Sequence, residues 1–414
     1  MSASAPPAPP PFLLKWRTIA LLSFAELLAL GLWFSGSTVV PQLIREWDLS
    51  SQQQSWMTMS VQIGFVVGAL VSAILNLADR LPLRGLIGLA MVGGAAANAA
   101  ITLTGSPETA LVLRGLTGVM IACVYPPGMK LIATWCKEDR GLGVGILVGS
   151  ITVGSALPHL LNAVPFLGEG GMPPWRSVLL LASGLTLVAV LIILRWGSPG
   201  PYQTAPAVFD WRYAGQAFRD RPLRLANLGY LGHMWELYAM WTWVPLLLMQ
   251  SYAQAGYPAA AARLAGFAVI AVGFVGSVAA GVLADRVGRT LITSWSLAIS
   301  GSCCLVAGLF FGRPVALTAL CLVWGMAVVA DSAQFSAAIS ELSHPRYVGT
   351  ALTVQTSLGF LLTLVTIQLV PRLLDDLGWK LVFLTLAPGP VFGIWAMLRL
   401  RTLPESSRLA SGRR

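Results

Sequence analysis

Two carboxylates stand where hydrocarbon should be. Glu26-Leu27-Leu28-Ala29, with Trp33 seven residues after the glutamate, returns as Glu236-Leu237-Tyr238-Ala239, with Trp243 again seven on. Each copy lies inside a long apolar run, where an acid costs roughly 2.5 to 3.5 kcal/mol on insertion scales. At 1.5 Å per residue, both glutamates lie about 15 to 20 Å into their runs, near a membrane midplane. On a 3.6-residue helix Glu26, Leu30 and Trp33 share a face, as do His233, Glu236, Met240 and Trp243. A carboxyl group that alternates between water and a low-dielectric site is a candidate proton carrier. The indoles of Trp33 and Trp243 lie too deep for interfacial anchors, and a cavity wall that encloses an organic solute suits them. His233, one turn from Glu236, titrates near neutral pH as a residue type and could relay the proton. Asp331 is a second proton site or a partner in an inner gate. The plainer alternative is that each glutamate bonds a neighbouring helix and each tryptophan fills a bundle core.

Arg114 has three readings of equal weight: it neutralises an anionic substrate, pairs with a membrane acid, or snorkels to the outer interface. Lys130 lies close enough to the inner end of its run to snorkel. Gln62, Tyr125, Gln334 and Gln355 complete a polar lining for a substrate. Tyr125-Pro126-Pro127 interrupts the hydrogen-bond ladder of its run, a device that bends helices at cavities.

The elements that must position these residues are apolar helices. The chain is 56% hydrophobic and 11% charged with a mean hydropathy of +0.73, too apolar for one soluble core. Spans of about 20 residues match the hydrocarbon thickness, and the pattern predicts twelve: roughly 16–43, 54–77, 84–105, 108–134, 142–164, 175–196, 223–250, 262–284, 289–312, 314–339, 349–371 and 379–400. The repeat extends beyond the glutamate phrase. Ala78-Asp79-Arg80 returns as Ala284-Asp285-Arg286, Val164-Pro165 as Val370-Pro371, and Trp175-Arg176 as Trp379-Lys380, at offsets of 206, 206 and 204 beside the 210 of the glutamates. The chain is therefore two homologous halves, a common build for secondary transporters.

The domain reading is a disordered tail over 1–15, a six-helix bundle over 16–196, a linker over 197–222, a second bundle over 223–402 and a tail over 403–414. The net charge of +10 orients the protein rather than pointing to nucleic acid. About 20 of the 27 Lys and Arg, Lys15, Arg17, Lys137, Arg224 and Arg414 among them, fall at one set of ends and loops, which the positive-inside rule assigns to the cytoplasm together with both termini. The first span is too long, and too polar at Glu26, for a cleavable leader. Five cysteines, at 123, 136, 303, 304 and 321, show no metal-ligand spacing and read as small hydrophobes. Without a GxxxxGK[ST] loop, ATP-driven transport has no support, and neither a metal nor a cofactor is expected.

Gly281-Val282-Leu283-Ala284-Asp285-Arg286-Val287-Gly288-Arg289, with its degenerate copy Asn76-Leu77-Ala78-Asp79-Arg80-Leu81-Pro82-Leu83-Arg84, resembles the loop signature of the major facilitator superfamily. Arg114-Gly115-Leu116-Thr117-Gly118 resembles a second family motif. The resemblance implies an all-α membrane fold, twelve transmembrane helices in two six-helix bundles around a central cavity that opens alternately to either side. Asp79, Arg80, Asp285, Arg286 and Arg289 then sit at a conformational gate on the inner side, or form turns that merely set topology. Gly145, Gly149 and nearly Gly154 lie along one face of the fifth span, where small residues let helices approach closely. The family's exporters often have a Gly-Pro step there, whereas Ser150 follows Gly149 here.

The expected function is proton-coupled secondary transport of a small organic solute across a cytoplasmic membrane, one chain holding a full pathway amid membrane lipids. Two subtypes stay open. The acidic, aromatic lining suits export of cationic or amphipathic compounds by antiport, and Arg114 with His233 suits uptake of an organic anion by symport. A sensor or scaffold that keeps the fold and moves nothing is the alternative from another class. No nucleophile-base set points to an enzyme.

Overall fold

In hydrocarbon a backbone must answer its own N–H and C=O groups, so long apolar runs are driven into helices. The computed structural model describes residues 10–136, 139–163, 173–202 and 209–413, all of them helix, turn or irregular connection. Val164-Pro165, Lys137, Arg414, residues 1–9 of the tail and residues 203–208 of the linker lie outside the described residues. Ten stretches are long and apolar enough to cross a membrane. They comprise α1 (Phe12–Thr38), α2 (Ser51–Ile74), α3 (Leu83–Leu103), α4 (Pro107–Ala133), α5 (Arg140–Leu161) and α6 (Trp175–Trp196). After Arg221–Gln254, which is α7, come α8 (Ala259–Val287), α9 (Arg289–Phe310) and α10 (Pro314–Leu342). The last stretch, Val348–Arg401, is divided where Gly378 leaves helical geometry (φ 60, ψ 175) into α11 (Val348–Leu381) and α12 (Pro388–Arg401). Only α7 is long yet diluted, by Asn227, His233 and Glu236 among others. Among the described residues the long helices number twelve, as the spans predict.

Local chemistry sets the ends. Pro11, Pro82, Pro174 and Pro258 precede helices, and Pro107, Pro222, Pro314 and Pro388 stand in first turns, where a missing N–H costs nothing. Ser50 and Gln53 form a capping box on α2. The first helix begins at Phe12, four residues before the predicted span, and stops at Thr38, with Val40–Trp47 turning off as a separate short helix. Within α4 the ladder breaks at Ala122–Val124, because Pro126 and Pro127 have no N–H to return to the carbonyls four residues back.

Packing repeats with the sequence. Helix α1 packs on α5 and α6, α2 on α4, and α3 on α6; adding six to each number gives the contacts α7 with α11 and α12, α8 with α10, and α9 with α12. The two broadest contacts across the halves are α2 with α11 and α5 with α8, and the same operation exchanges them. Glycine makes the tightest crossings. A Cβ on Gly64 would strike the Gly115 carbonyl, and one on Gly118 the Val61 carbonyl; in the second half Gly276 meets the Met326 carbonyl and Gly325 that of Val269. Lipid gives helices no hydrophobic reason to associate, so close backbone approach carries the packing. Likewise Gly145 and Gly149 of α5 accept α8 at Ser277 and Phe274, and Gly154 accepts α1 at Leu27.

Gly118→Ala is expected to cost about 1 to 3 kcal/mol through overpacking, and Gly118→Val more, read as a lower melting point and loss of the monodisperse peak in detergent. Gly85→Ala, at a site open to 4 Å, should leave both unchanged.

Candidate functional site

Helices α1 and α2 meet α7 and α11 in a layer of rings. The Trp33 ring lies 5.2 Å from Phe65, 5.7 Å from Tyr238 and 5.4 Å from Phe360, centroid to centroid, and Phe65 lies 4.7 Å from Phe360. Phe34 extends the layer to Tyr238 and Trp241, at 6.4 and 6.0 Å. These are attractive spacings for tilted aromatic pairs, and most of the layer's contacts join one half to the other. Twelve long helices leave Phe12 and Arg401 at one end, called the terminal end, and the layer lies toward the opposite, far end of α1. Beyond it the halves are also bridged by polar contacts. Thr363 donates to Gln62 Oε1 at 2.8 Å, Gln368 to Met59 Sδ at 3.2 Å, and Arg263 to the Asn162 carbonyl at 3.1 Å.

On the terminal side of the rings stands Glu26. It is 1% exposed, and neither carboxyl oxygen has a hydrogen-bond partner. Gly128 of α4 leaves its space: a Cβ there would collide with the carboxyl group. Tyr125 stands where α4 resumes, three residues before Gly128, and Tyr238 belongs to the ring layer. Trp33 Nε1, Gln62 Nε2 and both amide atoms of Gln355 are likewise buried and unpartnered.

The second copy of the phrase has a different environment. Glu236 Oε2 accepts from Ser300 at 2.8 Å, and Oε1 accepts from Cys304 Sγ at 3.1 Å and Trp324 Nε1 at 2.5 Å. Its carboxylate thus points between α9 and α10, inside its own half. His233 turns to α10 too: Nδ1 lies 2.9 Å from Asp331 Oδ1, an ion pair when the ring is protonated, and Nε2 lies 2.9 Å from Ser332 Oγ. Asp331 and His233 are each 1% exposed, and Asp331 marks a break in α10. Trp243 donates to the Ile367 carbonyl of α11 at 3.0 Å.

Arg114 is fully buried and reaches backbone. Nε donates to the Met57 carbonyl at 3.1 Å, Nη1 to the Leu32 carbonyl at 2.8 Å and to Ser35 Oγ at 3.4 Å, and Nη2 to the Trp33 carbonyl. Gly36 leaves room for it, since a Cβ there would lie 2.8 Å from Nε. Among the described residues no acid pairs with Arg114, which knots α1, α2 and α4 behind Trp33.

The gate candidates gather at the terminal end. Lys130, instead of snorkelling, donates to Asp79 Oδ1 at 2.5 Å and to the Ala78 carbonyl at 3.0 Å. Asp285 lies 3.7 Å from Arg289, and a Cβ on Gly141 in the first turn of α5 would come within 2.5 Å of its Oδ2. That contact crosses between the halves, while the one made by Asp79 stays within the first. Gly288 between Asp285 and Arg289 has φ 108, a turn open to glycine. Arg289 forks onto Glu341 at 2.6 and 2.8 Å and holds Gln334 Oε1 at 2.7 Å, so Gln334 belongs to this cluster rather than to the ring layer. Arg80 and Arg286 are exposed.

Residues 22–367 match the family described as Major Facilitator Superfamily. The chain belongs to the major facilitator superfamily. Its long apolar helices give it the multi-pass membrane fold of that transporter family. The gallate transporter of Pseudomonas putida is 30% identical over 164 residues, 39% of this chain and 34% of that protein. The 4-hydroxybenzoate transporter PcaK of Pseudomonas putida is 28% identical over 185 residues, 44% of this chain and 40% of that protein. The alignments thus span well under half the length of these relatives. A solved structure of the proton:xylose symporter XylE superposes with a TM-score of 0.69 at 15% identity, over 93% of this chain and 95% of that one, which shows the fold.

Phe65, Phe360, Tyr230, Ser300, Cys304 and Trp324 escaped the sequence reading. Tyr238 lies within the repeated phrase and carried a signal; the others are ordinary members of apolar runs. Arg114→Lys should lower stability by about 2 kcal/mol or more, since the ammonium cannot span α1 and α2 with a fork and charged hydrogen bonds contribute roughly 1.5 to 3 kcal/mol each. Thermal unfolding in detergent measures it.

Proposed function

We propose that this chain is a proton-coupled secondary transporter of a small aromatic organic solute, working by alternating access with both termini in the cytoplasm. Glu26 carries the reading: a buried carboxyl without a donor, packed against Gly128 and on the terminal side of a ring layer that joins the halves. A carboxylate left charged without donors in a dry seam costs several kcal/mol. A proton therefore accompanies closure around Glu26 and leaves when water returns. Coupling follows when substrate and proton favour the same closed form.

The aromatic class draws on the rings of Trp33, Phe65, Tyr238 and Phe360, with Gln62, Tyr125 and Gln355 offering polar contacts. It draws also on the printed substrates of two relatives, gallate and 4-hydroxybenzoate. Uptake of an aromatic acid with a proton is the leading form. Export of a cationic aromatic by antiport is the second, favoured by Arg114 being engaged with backbone carbonyls while Glu26 has no countercharge.

Proteoliposomes under an imposed pH gradient decide between them. Labelled 4-hydroxybenzoate or gallate should accumulate on the alkaline side, and Glu26→Gln should cut uphill accumulation by roughly tenfold or more while counterflow without a gradient stays within about threefold. Uphill transport by Glu26→Gln equal to the parent would remove the coupling role. Gradient-driven movement of aromatic amines alone would select antiport, and binding without flux would select a sensor.

A further inference from the structure

The repeated phrase is symmetric in sequence and asymmetric in its partners. In the first copy both polar side chains are orphans, Glu26 with neither oxygen bonded and Trp33 with a free indole N–H. In the second copy both are bonded, Glu236 by three donors and Trp243 by the Ile367 carbonyl. The partners of Glu236 come from two other helices, α9 and α10. The Trp324 indole can only give a hydrogen, so Oε1 is held as an acceptor, while the Ser300 hydroxyl also lies 3.3 Å from the Leu297 carbonyl. Trp324 is 0% exposed and seven residues from Asp331, about two turns of the same helix, where His233 makes the next contact back to α7. Helices α7 and α10 are thus tied at two levels. In the first half, Arg114 ties α4 to α1 at one level beside Trp33, and Glu26 is left untied.

We infer that the two glutamates have taken different work: Glu26 carries the proton, and Glu236 is a positioning residue that fixes α10 on α7 and α9 and stays out of the proton traffic. This rests on the proton-coupled reading above. A second half fixed in this way moves as one body, and the movable contacts concentrate where α1 and α4 meet Glu26. The titratable neighbours of Glu236 are Cys303 and Cys304 from α9 and Asp331 from α10, with His233 on its own helix.

Infrared difference spectra of the protein in lipid, recorded across a pH jump, report protonation of carboxyl groups without any substrate. In an Asp331→Asn background, which removes the other buried carboxyl without a hydrogen-bond donor among the described residues, the acid carbonyl band that appears on acidification should be lost in Glu26→Gln and kept in Glu236→Gln, which retains the volume and one acceptor oxygen. In proteoliposomes Glu236→Gln should keep the parent's proton-to-solute ratio. Trp324→Phe removes a donor and leaves the acid: it should slow 4-hydroxybenzoate exchange by about threefold or more with KM within about twofold, a kcat effect of positioning. Loss of the band in Glu236→Gln, a band kept in Glu26→Gln, or a halved proton ratio in Glu236→Gln overturns the division. Unchanged exchange in Trp324→Phe overturns the positioning role. If no aromatic solute moves even with the parent chain, the transport reading fails on its own, and the infrared result still decides which carboxyl titrates.

Discussion

A polar side chain in hydrocarbon has to be answered from within the chain, and this requirement organises the molecule. Arg114 is answered by three backbone carbonyls and a hydroxyl, Glu236 by three donors, and Asp331 by an imidazole. Each answer joins helices that lipid alone would not press together. Glu26 and Asp331 are the membrane-depth carboxyls whose oxygens lack a hydrogen-bond donor among the described residues, Asp331 with an imidazole 2.9 Å away and Glu26 with no ion-pair partner, and an unpaid desolvation cost of that kind persists where the group has work to do.

Backbone and side chains treat the duplication differently. Helix contacts repeat almost one for one when six is added to each helix number, and the close glycine crossings of α2 on α4 recur in α8 on α10. Backbone packing is set by small residues and by length, which both halves share. Side-chain partners are set by single positions, and these have drifted. Glu236 meets Ser300, Cys304 and Trp324, whereas Glu26 meets Gly128 and no donor.

The ring layer divides the seam into two environments. On its far side Gln62, Thr363, Met59, Gln368, Asn162 and Arg263 bridge the halves. On its terminal side Ser277 donates to the Gly145 carbonyl across the halves at 3.2 Å, while the buried polar atoms of Glu26 and Gln355 lack partners. The rings of Trp33, Phe65, Tyr238 and Phe360 separate these sets by packing alone, which lets them part and reclose with no hydrogen bond to break between them.

The sequence by itself determined the twelve long helices, the two-fold repeat, the family and the place of both glutamates well inside their helices, because hydropathy, proline and glycine placement and spacing along a helix are local properties. It placed Glu236 and Trp243 on one face, seven residues apart, and still could not say that one meets α9 and α10 while the other meets α11. Only the tertiary structure decided that Lys130 pairs with Asp79, that Arg114 serves backbone, that Gln334 belongs with Arg289, and that Phe65 and Phe360 complete the ring layer. The reason is geometric. Tilted helices exchange neighbours along their length, so the partner of a given face changes from turn to turn, and that exchange is fixed by long-range packing rather than by any spacing a single helix can carry.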